Sequence, residues 1–429
     1  MRGKKTEAMD AFPHWIIILI VVIVLARMAV FLARRFGLPS TSVLILFGIL
    51  LGPSALNLLE APMVLGTWGS PSSGPLHGVL KILAEIGLIQ LMFLAGLKVD
   101  WRELKKILKL SLSVGAWGFL LTAVSVAVLT RVFVDRWAEV LALSSVVSAS
   151  SFGISIYYFS EMKGLNSQVA AMVSGAAIFG GLLAILLMIG SQATNYAMIY
   201  GPSKMGIAVS WFLAKLIMFF AIAYFLTSRF LRLASRSGFF KRPRQMLIGY
   251  LLLVASLYAW AAMHFGSFAA VGVASLGGAL LGASTLEVKE KIAKGFDSFL
   301  ASIPVGILLV AIGIGVNVNA VQNSILLLVV LLIVVIGAKL IGAWIATRKG
   351  LHPLGERAPI MIGNLPQGEM GVLIAAYLFS RGLVNPLQFS AAIIVVVALT
   401  MITPLLLKIA STELSRKQLT MTVPLQTRD

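Results

Sequence analysis

The chain has no cysteine, only 16 acidic residues among 429, and four histidines, His14, His77, His264 and His352. Without cysteine there is no disulfide and no thiolate metal site. The histidines lack metal-ligand spacing, and each reads as a loop or interface residue. No G-x-x-x-x-G-K-[ST] phosphate loop is present, which excludes ATP-driven transport in this chain. Nor is any polar stretch long enough for a second folded domain, the longest basic connector being 229–245. The chain therefore reads as one unit, 1–429, with no soluble regulatory domain, no enzymatic constellation and no cofactor requirement.

What fills the chain is apolar residue: 59% is hydrophobic, 12% is charged, and the mean hydropathy is +0.97. Uninterrupted runs such as Ser324 to Trp344 reach the roughly 20 residues that cross a bilayer, and they exclude an outer-membrane barrel, whose strands alternate. The reading is an all-α polytopic membrane protein with thirteen segments, at 14–33, 40–58, 76–97, 107–130, 137–160, 166–190, 206–228, 246–264, 267–286, 296–318, 323–347, 357–381 and 386–410. The first is too long for a signal-peptide core and carries Arg27, so it is kept as a span.

The formal charge of +19 raises nucleic acid as a partner, but its distribution argues for topology instead. One set of alternating loops with the C-terminus holds 24 of the 35 Lys and Arg, among them Lys105, Lys106, Arg229, Arg232, Lys241 and Arg242. By the positive-inside rule the N-terminus is external and the C-terminus cytoplasmic, and the basic loops favour anionic lipid headgroups. No nucleic acid is implied.

Two segments are poorly suited to continuous helix. The fifth carries Ser144-Ser-Val-Val-Ser-Ala-Ser-Ser-Phe-Gly153, and the twelfth carries Gly363-Asn-Leu-Pro-Gln-Gly-Glu-Met-Gly371. Seven segments apart, they run in opposite directions, the arrangement of inverted repeats whose unwound backbones meet at a midplane site. Alternatively, the serines bond back to their own helix and Pro366 only kinks its own. Gly313-Ile-Gly315 lies in an apolar run, where helix packing outweighs phosphate binding.

Lys339 has apolar sequence on both sides, so its amine cannot easily snorkel to an interface, and it becomes a functional candidate. It can be neutral, bind an anion, or pair with an acid such as Glu369. Glu369 follows Pro366 and Gly368, where it can cap a half-helix or hold a cation. Lys215 and Glu85 rank lower. The predicted site wall is Ser148, Ser150, Ser151, Asn364, Glu369 and Lys339, with Gly180 and Gly181 behind it.

Gly37-Leu-Pro-Ser-Thr-Ser-Val-Leu-Ile-Leu-Phe-Gly-Ile-Leu-Leu-Gly-Pro-Ser54, Leu83-Ala-Glu-Ile-Gly-Leu-Ile-Gln-Leu-Met-Phe-Leu-Ala-Gly-Leu97 and Leu365-Pro-Gln-Gly-Glu-Met-Gly-Val372 resemble the second family of monovalent cation:proton antiporters, the Kef-type and bacterial sodium/proton exchangers. The resemblance covers about residues 15–410. It implies the sodium/proton antiporter fold, a plasma-membrane homodimer from a bacterium or archaeon, a six-helix core with two crossed broken helices beside a dimerisation part, elevator motion, and monovalent cations and protons as partners. It also implies an acidic pair at Gly180 and Gly181, in Gly175-Ala-Ala-Ile-Phe-Gly-Gly181, where neither carboxylate is present. The family's core lysine falls on Lys339, its Arg-Gly-Glu becomes Gln367-Gly368-Glu369, and its glutamate before Val99 is Lys98.

The glycines supply only backbone, close helix packing, or room for water or a larger substrate. Three functions follow: a cation:proton antiporter with non-standard coupling, an anion or small-solute carrier using Lys339, or a non-transporting membrane protein on the same fold. The metal or ion it takes is not specified by the sequence.

Overall fold

The computed structural model describes residues 12–36, 40–52, 106–151, 155, 167–211, 303–348 and 354–422, with a turn at 55–56 and scattered helical positions at 82–84, 86–87 and between 213 and 233. Among these there is no strand. The predicted segments at 246–264 and 267–286, most of that at 76–97, and Glu85, Lys98 and Lys215 lie outside the described residues.

Among the described residues, ten helices of ten residues or more carry the fold: α1 (Phe12–Phe36), α2 (Ser40–Leu51), α3 (Leu108–Arg131), α4 (Trp137–Ser148), α5 (Ser167–Tyr200), α6 (Ile303–Ile314), α7 (Ile325–Arg348), α8 (Leu354–Gly363), α9 (Gly368–Ser380) and α10 (Pro386–Thr422). Four described spans are long and apolar enough to cross a membrane: Leu108–Arg131, Gln168–Tyr200, Ile325–Arg348 and Pro386–Leu407. Large apolar side chains such as Leu326, Ile333, Val124 and Val128 point outward. Outward apolar faces on helices this apolar belong against lipid. The protein is an integral membrane protein.

Apolar burial drives little association once helices lie in lipid, so close approach of small residues has to hold the bundle. α7 lies along α3 because Gly342 meets the backbone of Trp117 and Gly118, where an added Cβ would come within 2.5 Å of the Trp117 carbonyl. α6 meets α2 through Gly313 and Gly48, each of which sits against the other's Cα. Gly313 is thus a packing residue, as the sequence suggests. α5 packs on α3 and α4, while α8 and α9 pack on α10.

Two predicted segments extend further than expected. The sixth, read as ending at 190, continues as α5 to Tyr200. Its polar end is absorbed by hydrogen bonds: Ser191 Oγ donates to the Ala138 carbonyl, Thr194 Oγ1 to that of Gly190, and Tyr377 Oη to Gln192 Oε1. The last segment continues to Thr422. Conversely, the second stops at Leu51 and the tenth at Ile314, followed by a short helix at Val318–Val321.

Candidate functional site

Both polar segments break. α4 ends at Ser148, and Ala149, Ser150 and Ser151 are non-helical, with helix again at Ser155. α8 ends at Gly363 and α9 begins at Gly368, with Asn364 to Gln367 between them. Pro366 has no backbone N–H to continue the ladder, and Gly368 takes φ +38°, a conformation open to glycine at little cost.

The breaks bond to each other. The Ser151 N–H donates to the Pro366 carbonyl at 2.8 Å, Ser155 Oγ to the Gly363 carbonyl at 3.2 Å, and Gln367 Nε2 to the Val147 carbonyl. On the far side, the Gly368 N–H reaches Thr400 Oγ1 of α10 at 3.3 Å.

Into this junction α7 delivers Lys339, whose side chain is fully buried. Nζ donates to the carbonyls of Ala149 (2.7 Å), Asn364 (3.3 Å) and Leu365 (3.4 Å) and to Ser150 Oγ (3.2 Å). All four acceptors are neutral. Three are carbonyls just past the C-terminal ends of α4 and α8, where helices leave unpaired acceptors and carry about half a negative charge each. The two ends together offset about one unit of positive charge. A buried ammonium is tolerated here by helix ends and hydrogen bonds, with no carboxylate among the described side chains beside it.

Of the predicted wall, Lys339, Ser150 and Asn364 meet directly, Ser150 Oγ also lying 3.4 Å from Asn364 Oδ1. Ser151 contributes its backbone to the crossing. Ser148 differs: its hydroxyl donates to the Ser144 carbonyl of its own helix, the local alternative for a serine in a helix. Glu369 lies in the first turn of α9, and its side chain lies outside the described residues.

Gly180 and Gly181 lie on α5 against the junction. A Cβ on Gly180 would sit 3.1 Å from Ser150 Oγ, and one on Gly181 would sit 3.0 Å from Met370 Cε and 3.8 Å from the Ser150 carbonyl oxygen. The space beside Gly181 is thus taken by the flexible end of Met370.

Three residues outside the predicted wall shape the junction. Gly118 of α3 leaves the room that the Asn364 amide occupies. Met370 fills the gap at Gly181. Gln367, fully buried, ties α9 to α4. Gln367 stood in a motif already noted, but a neutral side chain gave no signal of its own. Among the described residues no cluster of His, Cys, Asp and Glu is arranged to hold a metal ion.

Residues 18–410 match the family described as "Sodium/hydrogen exchanger, transmembrane". The chain belongs to this exchanger family. It is 24% identical over 396 residues to the probable Na(+)/H(+) antiporter GerT of Bacillus cereus, covering 91% of this chain and 97% of that one. It is also 24% identical to the Na(+)/H(+)-K(+) antiporter GerN of the same organism, covering 90% and 94%, and to a Na(+)/H(+) antiporter of Enterococcus hirae, covering 91% and 96%. The fold is that of the sodium proton antiporter MjNhaP1 from Methanocaldococcus jannaschii, with a TM-score of 0.70 over 95% of this chain and 99% of that one, at 16% identity. The exchanger family is one of transporters.

Proposed function

We propose that this chain is a secondary transporter that exchanges a monovalent cation, Na+ or K+, for protons, a Kef-type member of the exchanger family in which Gly180 and Gly181 stand where others carry an acidic pair. The observation that carries the reading is the Lys339 ammonium, buried where the two breaks meet and held by oxygens from both. In the proposed exchange the crossing holds one positive charge at a time, the ammonium or the transported cation, each favoured by the same helix ends. The Lys339 amine gives up and takes back the exchanged proton. Ser150 and Asn364 position that amine, and Glu369 opens the half-helix that follows. The helices α3, α4, α5, α7, α8, α9 and α10 form the moving core of an elevator in a homodimer, with the N-terminus external and the C-terminus cytoplasmic.

An anion carrier is the weaker reading, because the ammonium's three protons already face four protein acceptors and leave none for an anion. The test is proton movement in proteoliposomes, scanned across sodium, potassium and lithium with the anion varied. Cation-dependent proton flux that disappears in Lys339→Ala is expected. Well-folded protein that moves no protons under any cation would discard the exchanger in favour of a non-transporting role.

A further inference from the structure

The oxygens around Lys339 are already engaged by its ammonium, yet one buried side-chain oxygen in the crossing is not engaged. Gln367 is fully buried, and its Oε1 has no hydrogen-bond donor among the described residues. The amide is not free to turn over. Its Nε2 faces the Val147 carbonyl, and exchanging the two ends would set two oxygens against each other. The atom left bare is therefore the oxygen.

A buried carbonyl oxygen without a partner is costly, so it marks a place where a donor or a cation belongs. Its electrostatic setting separates those occupants. Although Gln367 precedes α9, its amide head reaches across to the last turn of α4, the electronegative end of that helix. Elsewhere at the junction, Gly180 and Gly181 face Ser150 and the thioether end of Met370 and carry no carboxylate to bind a cation. A hard monovalent cation takes oxygen ligands, and a neutral amide oxygen is one of the types that can replace its hydration shell.

We propose that Gln367 Oε1 is a ligand for the monovalent cation, the oxygen that this chain uses at the crossing in place of the missing acids. The proposal rests on the exchanger reading for the identity of the ion, and its test is binding, which needs no transport. The purified full-length protein is titrated with radiolabelled sodium and rubidium. Gln367→Met keeps the side-chain length and removes the amide, and Gln367→Glu keeps oxygens at the same reach.

Gln367→Met should weaken cation binding by at least roughly tenfold, the effect of losing one ligand that is not replaced. Gln367→Glu should retain binding and shift its pH profile, adding the titration of the new carboxyl to the proton competition at Lys339. Monodisperse Gln367→Met with the parent's affinity would overturn the proposal, the oxygen then holding water alone. If Gln367→Met does not fold, Gln367→Glu decides: unchanged affinity with an unchanged pH profile overturns the proposal, and an altered pH profile supports it. Parent protein that binds neither ion also overturns it. Parent protein that binds the ion through Gln367 but moves no protons would sink the exchange reading and leave the ligand standing.

Discussion

The ammonium of Lys339 lies 2.7 Å from the carbonyl oxygen of Ala149, the residue at which α4 stops. The contact makes a lysine on one helix the cap of another, and Nζ does the same for α8 through Asn364 and Leu365. In the proposed exchange the charge used for transport and the bond that caps these helices are the same group, so substitutions at 339 have to be read on both scales.

The two scales give an unusual order of stability. Lys339→Met fills the space with an apolar, dry side chain and leaves four buried acceptors without donors, a change of about 3 kcal/mol or more. Lys339→Ala opens a polar cavity that water can enter to satisfy the same oxygens. Thermal unfolding in detergent should therefore rank the parent first, Ala second and Met last, with Met lower than the parent by roughly 5 °C or more. A Met variant as stable as the parent would mean that the four contacts contribute nothing to the fold.

How much of this was legible in the sequence depends on the physical signal each residue leaves. The breaks were legible because a five-serine cluster and a Gly-x-x-Pro-x-Gly run are poor helix in an apolar chain, and a buried lysine announces itself by its charge. Ser148 is less legible because a serine has two outlets, a partner helix or its own carbonyl four residues back, and composition does not distinguish them; here its hydroxyl takes the second. Gln367 and Gly118 were not singled out, since a neutral amide and a packing glycine are common in membrane helices and only the spatial partner makes them specific. Helix ends are hidden in the same way: Ser191 and Gln192 look like the edge of a span until the Ala138 carbonyl is seen to accept from Ser191 and the Tyr377 hydroxyl to donate to Gln192.

Gly118 should tolerate no side chain. A Cβ there falls on the Asn364 amide, which would have to move away from Ser150 and disturb the carbonyl that faces Lys339. Gly118→Ala is expected to lower cation-dependent flux at least roughly tenfold, the factor for losing one well-placed polar contact. Gly190 is the control on α5, with nothing within 4 Å of an added Cβ. Gly190→Ala should be neutral or stabilising by up to about 1 kcal/mol through helix propensity. Equal flux in the two variants would show that room for Asn364 does not matter.

At Gly368 the backbone itself is the constraint. With φ at +38°, an alanine would carry a strain of roughly 1–2 kcal/mol at the point where α9 begins and where the N–H reaches Thr400. Gly368→Ala should lower the thermal midpoint by a few degrees, and Thr400→Val should lower it less, since it removes the hydroxyl's bonds with the Gly368 N–H and the Val396 carbonyl but leaves the backbone conformation open. A Gly368→Ala protein with an unchanged midpoint would place the turn elsewhere.

Introducing an acid on α5 is best attempted at one glycine rather than both. At Gly180 a new Cβ presses on Ser150, whose hydroxyl accepts from Lys339, so an aspartate there would disturb the junction it is meant to serve. At Gly181 the obstacle is the terminal methyl of Met370, which a flexible side chain can withdraw. Gly181→Asp combined with Met370→Ala should therefore fold and place a carboxylate beside Ser150 and within the field of Lys339, supplying both a cation ligand and a titratable group. The expected result in proteoliposomes is stronger cation-dependent proton exchange than in the parent, with the gain smaller when Gly180→Asp is added. If the Gly181→Asp and Met370→Ala protein elutes as a single species and its flux is no greater than the parent's, a carboxylate at this position is not what limits exchange, and the neutral oxygens of the crossing already provide the working site.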